Sequence, residues 1–251
     1  MTAERRAVLV TGASRGIGAA VARAFAAAGE RVALHHRAGR EKALQVAASL
    51  PGDGHVVVGA DLADPEAVRA MVEEAAQGLR GLDVLVNNAG VFDPAHPIAR
   101  TTYEQWQRGW RDTLAVNLVG AANVTWCAVR HMGRGGRIVN VASRGAFRGE
   151  PDHPAYGASK AGLVAFGQSL ARSLGPLGIA VTSVAPGFTE TDMAAEALAG
   201  ERGAERRAES PLGRVATAEE VAAAVLYLAS GPAEMASGTV LDVNGASYLR
   251  M

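Results

Sequence analysis

The chain has 251 residues, 49% of them apolar and 20% charged, so it can bury a large core in one large domain or two small ones. Its 25 lysines and arginines balance 25 aspartates and glutamates, which excludes an overall basic field that recruits nucleic acid or an anionic membrane. Cys127 is the only cysteine, which excludes an intrachain disulfide and a cysteine-cluster metal site.

Elements alternate along the chain. Ala7–Val10 is a short apolar run of strand type, too short for the core of a signal peptide. Ile17–Ala28 is alanine-rich and helical, Val32–His35 a strand, Glu41–Leu50 a helix and His55–Gly59 a β-branched strand. Pro65–Leu79 is a helix with Pro65 well placed in its first turn, followed by a strand at Val84–Val86. One long helix is expected from near Gln105 to Met132, with Cys127 on it as a small hydrophobe rather than a nucleophile. Arg137–Val141 is a strand, Ala155–Leu174 a helix and Ile179–Val184 a strand. Ala218–Ala229 is a helix capped by Thr217, and Thr239–Val243 is the last strand.

Seven short apolar strands separated by helices imply right-handed crossovers and a mostly parallel, doubly wound α/β sheet covered on both faces. No linker or composition shift breaks the series, so a single domain over 1–251 is expected. The segment 188–214, rich in Ala, Glu and Arg with a Pro-Leu-Gly stop, fits an inserted helical lid over the site. No stretch approaches the ~18 apolar residues of a membrane span, and a cytoplasmic protein is expected. The six histidines show no metal spacing, and no metal is required.

Strand one runs into Thr11-Gly12-Ala13-Ser14-Arg15-Gly16-Ile17-Gly18. Glycines between a strand and a helix let backbone amides approach a pyrophosphate, whose charge the helix N-terminus stabilises. The spacing is Gly-x-x-x-Gly-x-Gly. With Asn87-Asn88-Ala89-Gly90, Asn117, Ser143, Tyr156-x-x-x-Lys160 and Pro186-Gly187, it resembles the short-chain dehydrogenase/reductase family over essentially the whole chain. Within it, Pro186-Gly187-Phe188-Thr189-Glu190-Thr191-Asp192-Met193 is similar to the 3-oxoacyl-carrier-protein reductases.

The resemblance implies a Rossmann-type fold and hydride transfer between a nicotinamide dinucleotide and a carbonyl or secondary alcohol. The end of strand two selects the cofactor. A carboxylate there accepts bonds from the ribose 2′-OH, whereas arginine attracts a 2′-phosphate. Here His36 stands where NAD-dependent relatives carry an aspartate. Arg37 follows, and Arg15 can reach the same phosphate, so NADP(H) is expected over NAD(H). Asp61 and Leu62 match the family's adenine-contacting pair, and Asn88 and Gly90 the turn beside the adenosine ribose. Pro186 and Gly187 follow strand six, and Thr189 would meet the nicotinamide carboxamide.

Reducing a carbonyl needs a proton for the developing alkoxide and a group to hold the oxygen. Tyr156 and Lys160, four apart on a helix, share a face. A nearby cation lowers the phenol's pKa from ~10, and reaching neutrality takes about 4 kcal/mol. The resemblance makes Tyr156 the general acid/base and has Lys160 also bind the cofactor ribose. Ser143, just beyond strand five, would steady the oxyanion. Asn117 alone reads as a helix kink or a solvated position; the resemblance makes it a proton-relay residue.

Arg144, Phe147, Arg148, Glu150 and His153 are expected to border the substrate pocket with Phe188 and the lid. His131 and His153 are expected to be structural. The resemblance implies a homotetramer or homodimer and raises acyl carrier protein as a partner. Leu177 counts against that docking, because carrier-protein reductases have a basic residue there, although Arg130 matches a second basic position. The tail Val243-Asn244-Gly245-Ala246 departs from the Asp-Gly-Gly of relatives, and the stretch Pro94–Trp110 is longer than theirs and could alter the substrate entrance. Two other classes are weighed: a dinucleotide-binding sensor without turnover, which would typically lack the Tyr/Lys pair, and a sugar-nucleotide epimerase, which would need a larger C-terminal domain.

Overall fold

Alternate residues of the strands inside the sheet feed two different cores. Strand β1 (Ala7–Val10) sends Val8 and Val10 to one side of the sheet and Ala7 and Leu9 to the other, the two-residue period of extended chain. Both sides are apolar, which is why the strands read as short unbroken hydrophobic runs. The computed structural model describes residues 5–92, 94–191, 194, 195 and 197–250.

The other strands are β2 (Arg31–His36), β3 (Val56–Gly59), β4 (Val84–Asn87), β5 (Arg137–Val141), β6 (Ala180–Pro186) and β7 (Val240–Val243). They form one seven-stranded sheet in the order β3-β2-β1-β4-β5-β6-β7, with every pairing parallel. On one face lie α1 (Gly16–Ala27), α2 (Arg40–Ala48) and α9 (Ala218–Leu228), whose Phe25, Val46 and Val221 pack against Val8, Val32, Val86 and Val139. On the other lie α3 (Pro65–Leu79), α5 (Ala121–Ala128) and α7 (Pro154–Leu174), which cover Leu9, Ala33, Leu85 and Ile138. Successive crossovers run outward from β1 in one direction and from β4 in the other. The crevice at the carboxyl ends of β1 and β4 is thus the topological switch point, where ligands bind in open α/β sheets.

Local signals hold at the helix starts. Asp64 accepts from the N–H groups of Glu66 and Ala67 at 2.9 and 3.2 Å, with Pro65 next to it. Thr217 caps α9 in a reciprocal box with Glu220. The single helix expected from Gln105 to Met132 is corrected. Helix α4 (Tyr103–Leu114) passes into a π-helical turn at Ala115–Gly120, then α5, then a 3-10 turn at Val129–His131. The wider turn brings the backbone close to the loop after β3, where a Cβ on Gly120 would fall 2.7 Å from the Leu62 carbonyl oxygen.

The stretch 188–214 leaves the sheet at Thr189, which bridges to Ala216, and among its described residues holds one helix, α8 (Gly200–Ala208). Asp192, Met193 and Glu196, within the expected lid and the Pro186–Met193 run, lie outside the described residues. In the tail, Ala246 has φ 59°, a left-handed conformation that costs a Cβ-bearing residue about 1–2 kcal/mol. Among the described residues no helix is long and apolar enough to cross a membrane.

Candidate active site

A cleft of about 600 Å³ opens at the switch point, within the range of small-ligand and cofactor sites. One end is built by the loop from β1 to α1. Gly12 has φ +68°, and a Cβ there would fall 2.9 Å from Ala89 Cα. A Cβ on Gly18 would run into the Gly12 carbonyl oxygen. The chain is therefore bare where it approaches the cleft. Helix α1 has no side-chain cap on its first N–H groups and no acidic residue in its first turn, so its N-terminus is free to take an anion. Ser14, Arg15, Gly16 and Ile17 line the same end.

Two clamps hold this loop. Asn88, just past β4, donates to the carbonyls of Thr11 and Gly12 at 2.8 and 3.2 Å, while Thr11 Oγ1 accepts from the N–H groups of Asn88 and Ala89, each at 2.9 Å. His35 Nδ1 accepts from the Gly12 N–H at 3.0 Å, which leaves Nε2 to carry the proton and donate to the Ala60 carbonyl at 3.1 Å. Burial pushes the His35 pKa down to about 4, keeping the ring neutral. His36 is buried against Gly59 with Arg37 exposed beyond it, and both face the cleft with Asp61, Leu62 and Gly90. No carboxylate stands at the end of β2. Arg15, Arg37 and Lys42 line the cleft as cations.

The other end gathers the proton-handling side chains. Ser143, two residues past β5 and just before the short helix α6 (Gly145–Arg148), hydrogen-bonds Tyr156 and accepts from the Gly145 N–H at 3.0 Å. Tyr156 and Lys160 rise from the first turns of α7, and Lys160 Nζ lies 5.8 Å from the Tyr156 ring centroid and donates to the Val141 carbonyl at 2.8 Å. Asn117, fully buried on the π-helical turn, does not line the cleft. It sits behind Gly90, where a Cβ would fall 3.3 Å from Asn117 Oδ1 and 3.4 Å from Lys160 Nζ. Pro186, Gly187 and Thr189 close this end from β6, with Thr189 Oγ1 donating to the Gly187 carbonyl at 3.2 Å.

A family profile described as Enoyl-(Acyl carrier protein) reductase matches residues 12–246. The 3-oxoacyl-[acyl-carrier-protein] reductase FabG of Vibrio cholerae is 36% identical over 251 residues, covering 99% of this chain and 100% of the relative. The chain belongs to the short-chain dehydrogenase/reductase family. It is an oxidoreductase. The cis-4-hydroxycyclohexanecarboxylate dehydrogenase of Sinomonas cyclohexanicum is 40% identical over 97% of this chain and 96% of the relative. A solved short-chain dehydrogenase of Burkholderia cenocepacia in complex with NADP superposes with a TM-score of 0.87 at 38% identity, covering 96% of this chain and 97% of that one.

The electrostatics of this short-chain dehydrogenase/reductase differ from expectation at one point. Tyr156 is pushed up to about 12, not down, because burial penalises the phenolate, Ser143 offsets only part of that, and Glu150 adds to it. Burial also pushes Lys160 down to about 8, and no carboxylate pairs with it among the described residues. The cation beside the phenol is thus itself weakened by burial.

Several expectations about the walls also change. Arg144, Glu150 and Phe188 line the cleft, whereas Phe147, Arg148 and His153 do not. None of the described residues of 94–110 lines it either. That stretch braces α7 instead, the Ala155 N–H donating to His96 Nε2 at 3.3 Å and the His96 N–H to the Asp152 carbonyl at 2.8 Å. His153 stacks on Phe92 at 3.9 Å, and Phe92 meets the Tyr156 ring edge-on at 4.8 Å. His131 pairs with Glu73 at 3.3 Å. Burial pushes the Cys127 thiol up, away from the reactive thiolate. His35, Lys42 and Phe92 are not singled out by sequence, and Thr11 enters there only as the first residue of the glycine-loop motif. His35 and Thr11 act through hydrogen bonds across the sheet, for which local sequence carries no signal.

Proposed function

We propose that this enzyme transfers hydride between NADP(H), in preference to NAD(H), and a carbonyl or secondary alcohol, with Tyr156 as general acid/base. The observation that carries the reading is the convergence of Ser143, Tyr156 and Lys160 at the far end of the cleft that begins with the bare glycine loop. Arg15, Arg37 and Lys42, with no acid among them, support a 2′-phosphate. The bare loop and free helix N-terminus fit the pyrophosphate of a dinucleotide. Gly12, Ser14, Gly16, Ile17 and Gly18 would hold it, with His36, Asp61, Leu62, Asn88 and Gly90 around the adenosine and Pro186, Gly187 and Thr189 around the nicotinamide.

The bound dinucleotide supplies or accepts the hydride. In reduction, Tyr156 Oη gives its proton to the carbonyl oxygen as that oxygen becomes an alkoxide, and in oxidation it takes the proton back. Ser143 Oγ donates to the same oxygen and steadies its charge. Lys160, pushed down to about 8 by burial but still mostly charged at pH 7, favours the phenolate that remains and binds the cofactor ribose. Asn117 holds the inner end of a water relay to Lys160. The whole chain works as one domain, with 188–214 as the lid. It assembles in the cytoplasm as two or four copies through the helices from α4 to α5 and α7, a reading supported by the exposed Val119 and Trp126.

A second reading, reduction of 3-oxoacyl thioesters, is favoured by the full-length match to the Vibrio cholerae enzyme. Docking of acyl carrier protein is disfavoured by the exposed Leu177 and by Arg130, whose guanidinium packs 3.1 Å over the Trp126 ring. A screen of NADPH oxidation across β-ketoacyl thioesters, quinones, ketosteroids and keto-sugars, with NADH in parallel, tests the proposal. Oxidation with at least one class, faster with NADPH, is expected. Equal rates with both cofactors contradict the preference, and no oxidation in any class contradicts the reaction.

A further inference from the structure

Glu150 stands on the wall of the cleft that holds Ser143 and Tyr156. Its side chain is half-buried and, among the described residues, makes no hydrogen bond and no ion pair. Of the neighbouring arginines, Arg144 and Arg148 are spent on Glu209, and Arg206 donates to the Ala197 carbonyl and lies over the Phe188 ring. Arg144 reaches Glu209 at 2.6 Å and Arg148 at 3.0 Å, and Arg144 also donates to Ser247 Oγ at 2.6 Å. Burial raises the Glu150 pKa, against the pull of Arg148 and Arg144. The fold makes room for the group, since a Cβ on Gly145 would fall 2.5 Å from Glu150 Oε1.

A half-buried carboxylate without a donor is costly unless a partner arrives from the cleft. We propose that Glu150 is a specificity-determining residue that accepts a hydrogen bond from a hydroxyl or ammonium group on the substrate, away from the reacting carbonyl. It thereby selects donor-bearing carbonyl compounds and turns away carboxylates. The inference rests on the oxidoreductase reading of the same cleft. Arg144 does not reverse the preference, because its charge is answered by Glu209 and its guanidinium lies 5.2 Å over the Phe188 ring.

The test compares wild type, Glu150→Gln and Glu150→Leu on the ring isomers of hydroxycyclohexanone and aminocyclohexanone, the matching methylcyclohexanones and oxocyclohexanecarboxylates. Wild type is expected to favour the best donor-bearing isomer over its methyl counterpart by about tenfold or more in kcat/KM. Glu150→Leu should bring that ratio near one and raise relative turnover of the carboxylates, with Glu150→Gln between. The amino and hydroxyl arms separate a charged donor from a neutral one. Binding of the corresponding diols, amino alcohols and methylcyclohexanols, read by the fluorescence of bound NADPH, should give the same ratios without turnover. Reduction with ratios equal in wild type and Glu150→Leu, or a parallel fall for every substrate, overturns the inference while leaving the oxidoreductase reading intact. A binding ratio that collapses in Glu150→Leu without reduction of any ketone supports the inference and overturns that reading instead.

Discussion

Asn117 Nδ2 donates to Ser159 Oγ at 3.1 Å, joining the π-helical turn to α7. The same amide accepts from the Val91 N–H at 2.8 Å and donates to the Val91 carbonyl at 3.0 Å, and Ser159 donates to the Tyr156 carbonyl at 2.8 Å. One buried side chain thus fixes the chain leaving β4 against the turn that carries Tyr156. Asn117→Ala leaves both polar groups of Val91 without that partner. Unfolding free energy should fall by about 1–3 kcal/mol in urea titration. The proposed relay adds an expected fall in kcat of about tenfold or more, with NADPH affinity nearly unchanged. A stability loss with full kcat would leave Asn117 a purely structural residue.

Arg15 and Arg37 give the cofactor preference a direct reading. Each exposed guanidinium lines the cleft, Arg37 directly after β2 and Arg15 at the start of α1. Removing a charge-assisted bond to a phosphate should weaken NADPH binding by about tenfold per substitution. Arg15→Ala and Arg37→Ala are therefore expected to raise the NADPH Kd in fluorescence titration while leaving that of NADH within about twofold. Equal losses for both cofactors would place the arginines elsewhere than at the 2′-phosphate.

His35 sets an acid limb on stability. An unfolded histidine takes up a proton near pH 6.5, but buried His35 does so only near pH 4. Between those values the unfolded state binds more protons, so stability falls as pH drops through this window. The loss amounts to about 3 kcal/mol by pH 4. His35→Gln keeps a donor and an acceptor for Gly12 and Ala60 but does not titrate. Its stability should decline correspondingly less than wild type between pH 7 and pH 4 in urea unfolding. Parallel curves would remove His35 from the acid limb.

The parallel sheet was legible because strands buried on both faces leave unbroken runs such as Ala7–Val10, and Pro65 and Thr217 mark helix starts by local chemistry. The glycine loop and the Tyr156/Lys160 pair were legible because their spacing is itself the geometry. The π-helical turn was not, because Val116-Asn117-Leu118 has the same composition in either winding. Nor was the upward shift of Tyr156, which depends on burial by residues distant in sequence. The His35–Gly12 bond spans 23 residues and two strands, so only the folded sheet reveals that His35 steadies the loop. Glu150 was placed at the pocket by its position between Ser143 and Tyr156, but its lack of a donor emerges only once Arg144 and Arg148 are seen bound to Glu209.

The proton transfer assigned to Tyr156 is tested most directly by Tyr156→Phe, assayed with a carbonyl substrate from the screen and with NADPH binding measured in the same preparation. The account predicts a fall in kcat of about a thousandfold, with the NADPH Kd within about twofold of wild type because the glycine loop and its clamps are untouched. Turnover within about tenfold of wild type, with NADPH bound normally, would contradict it.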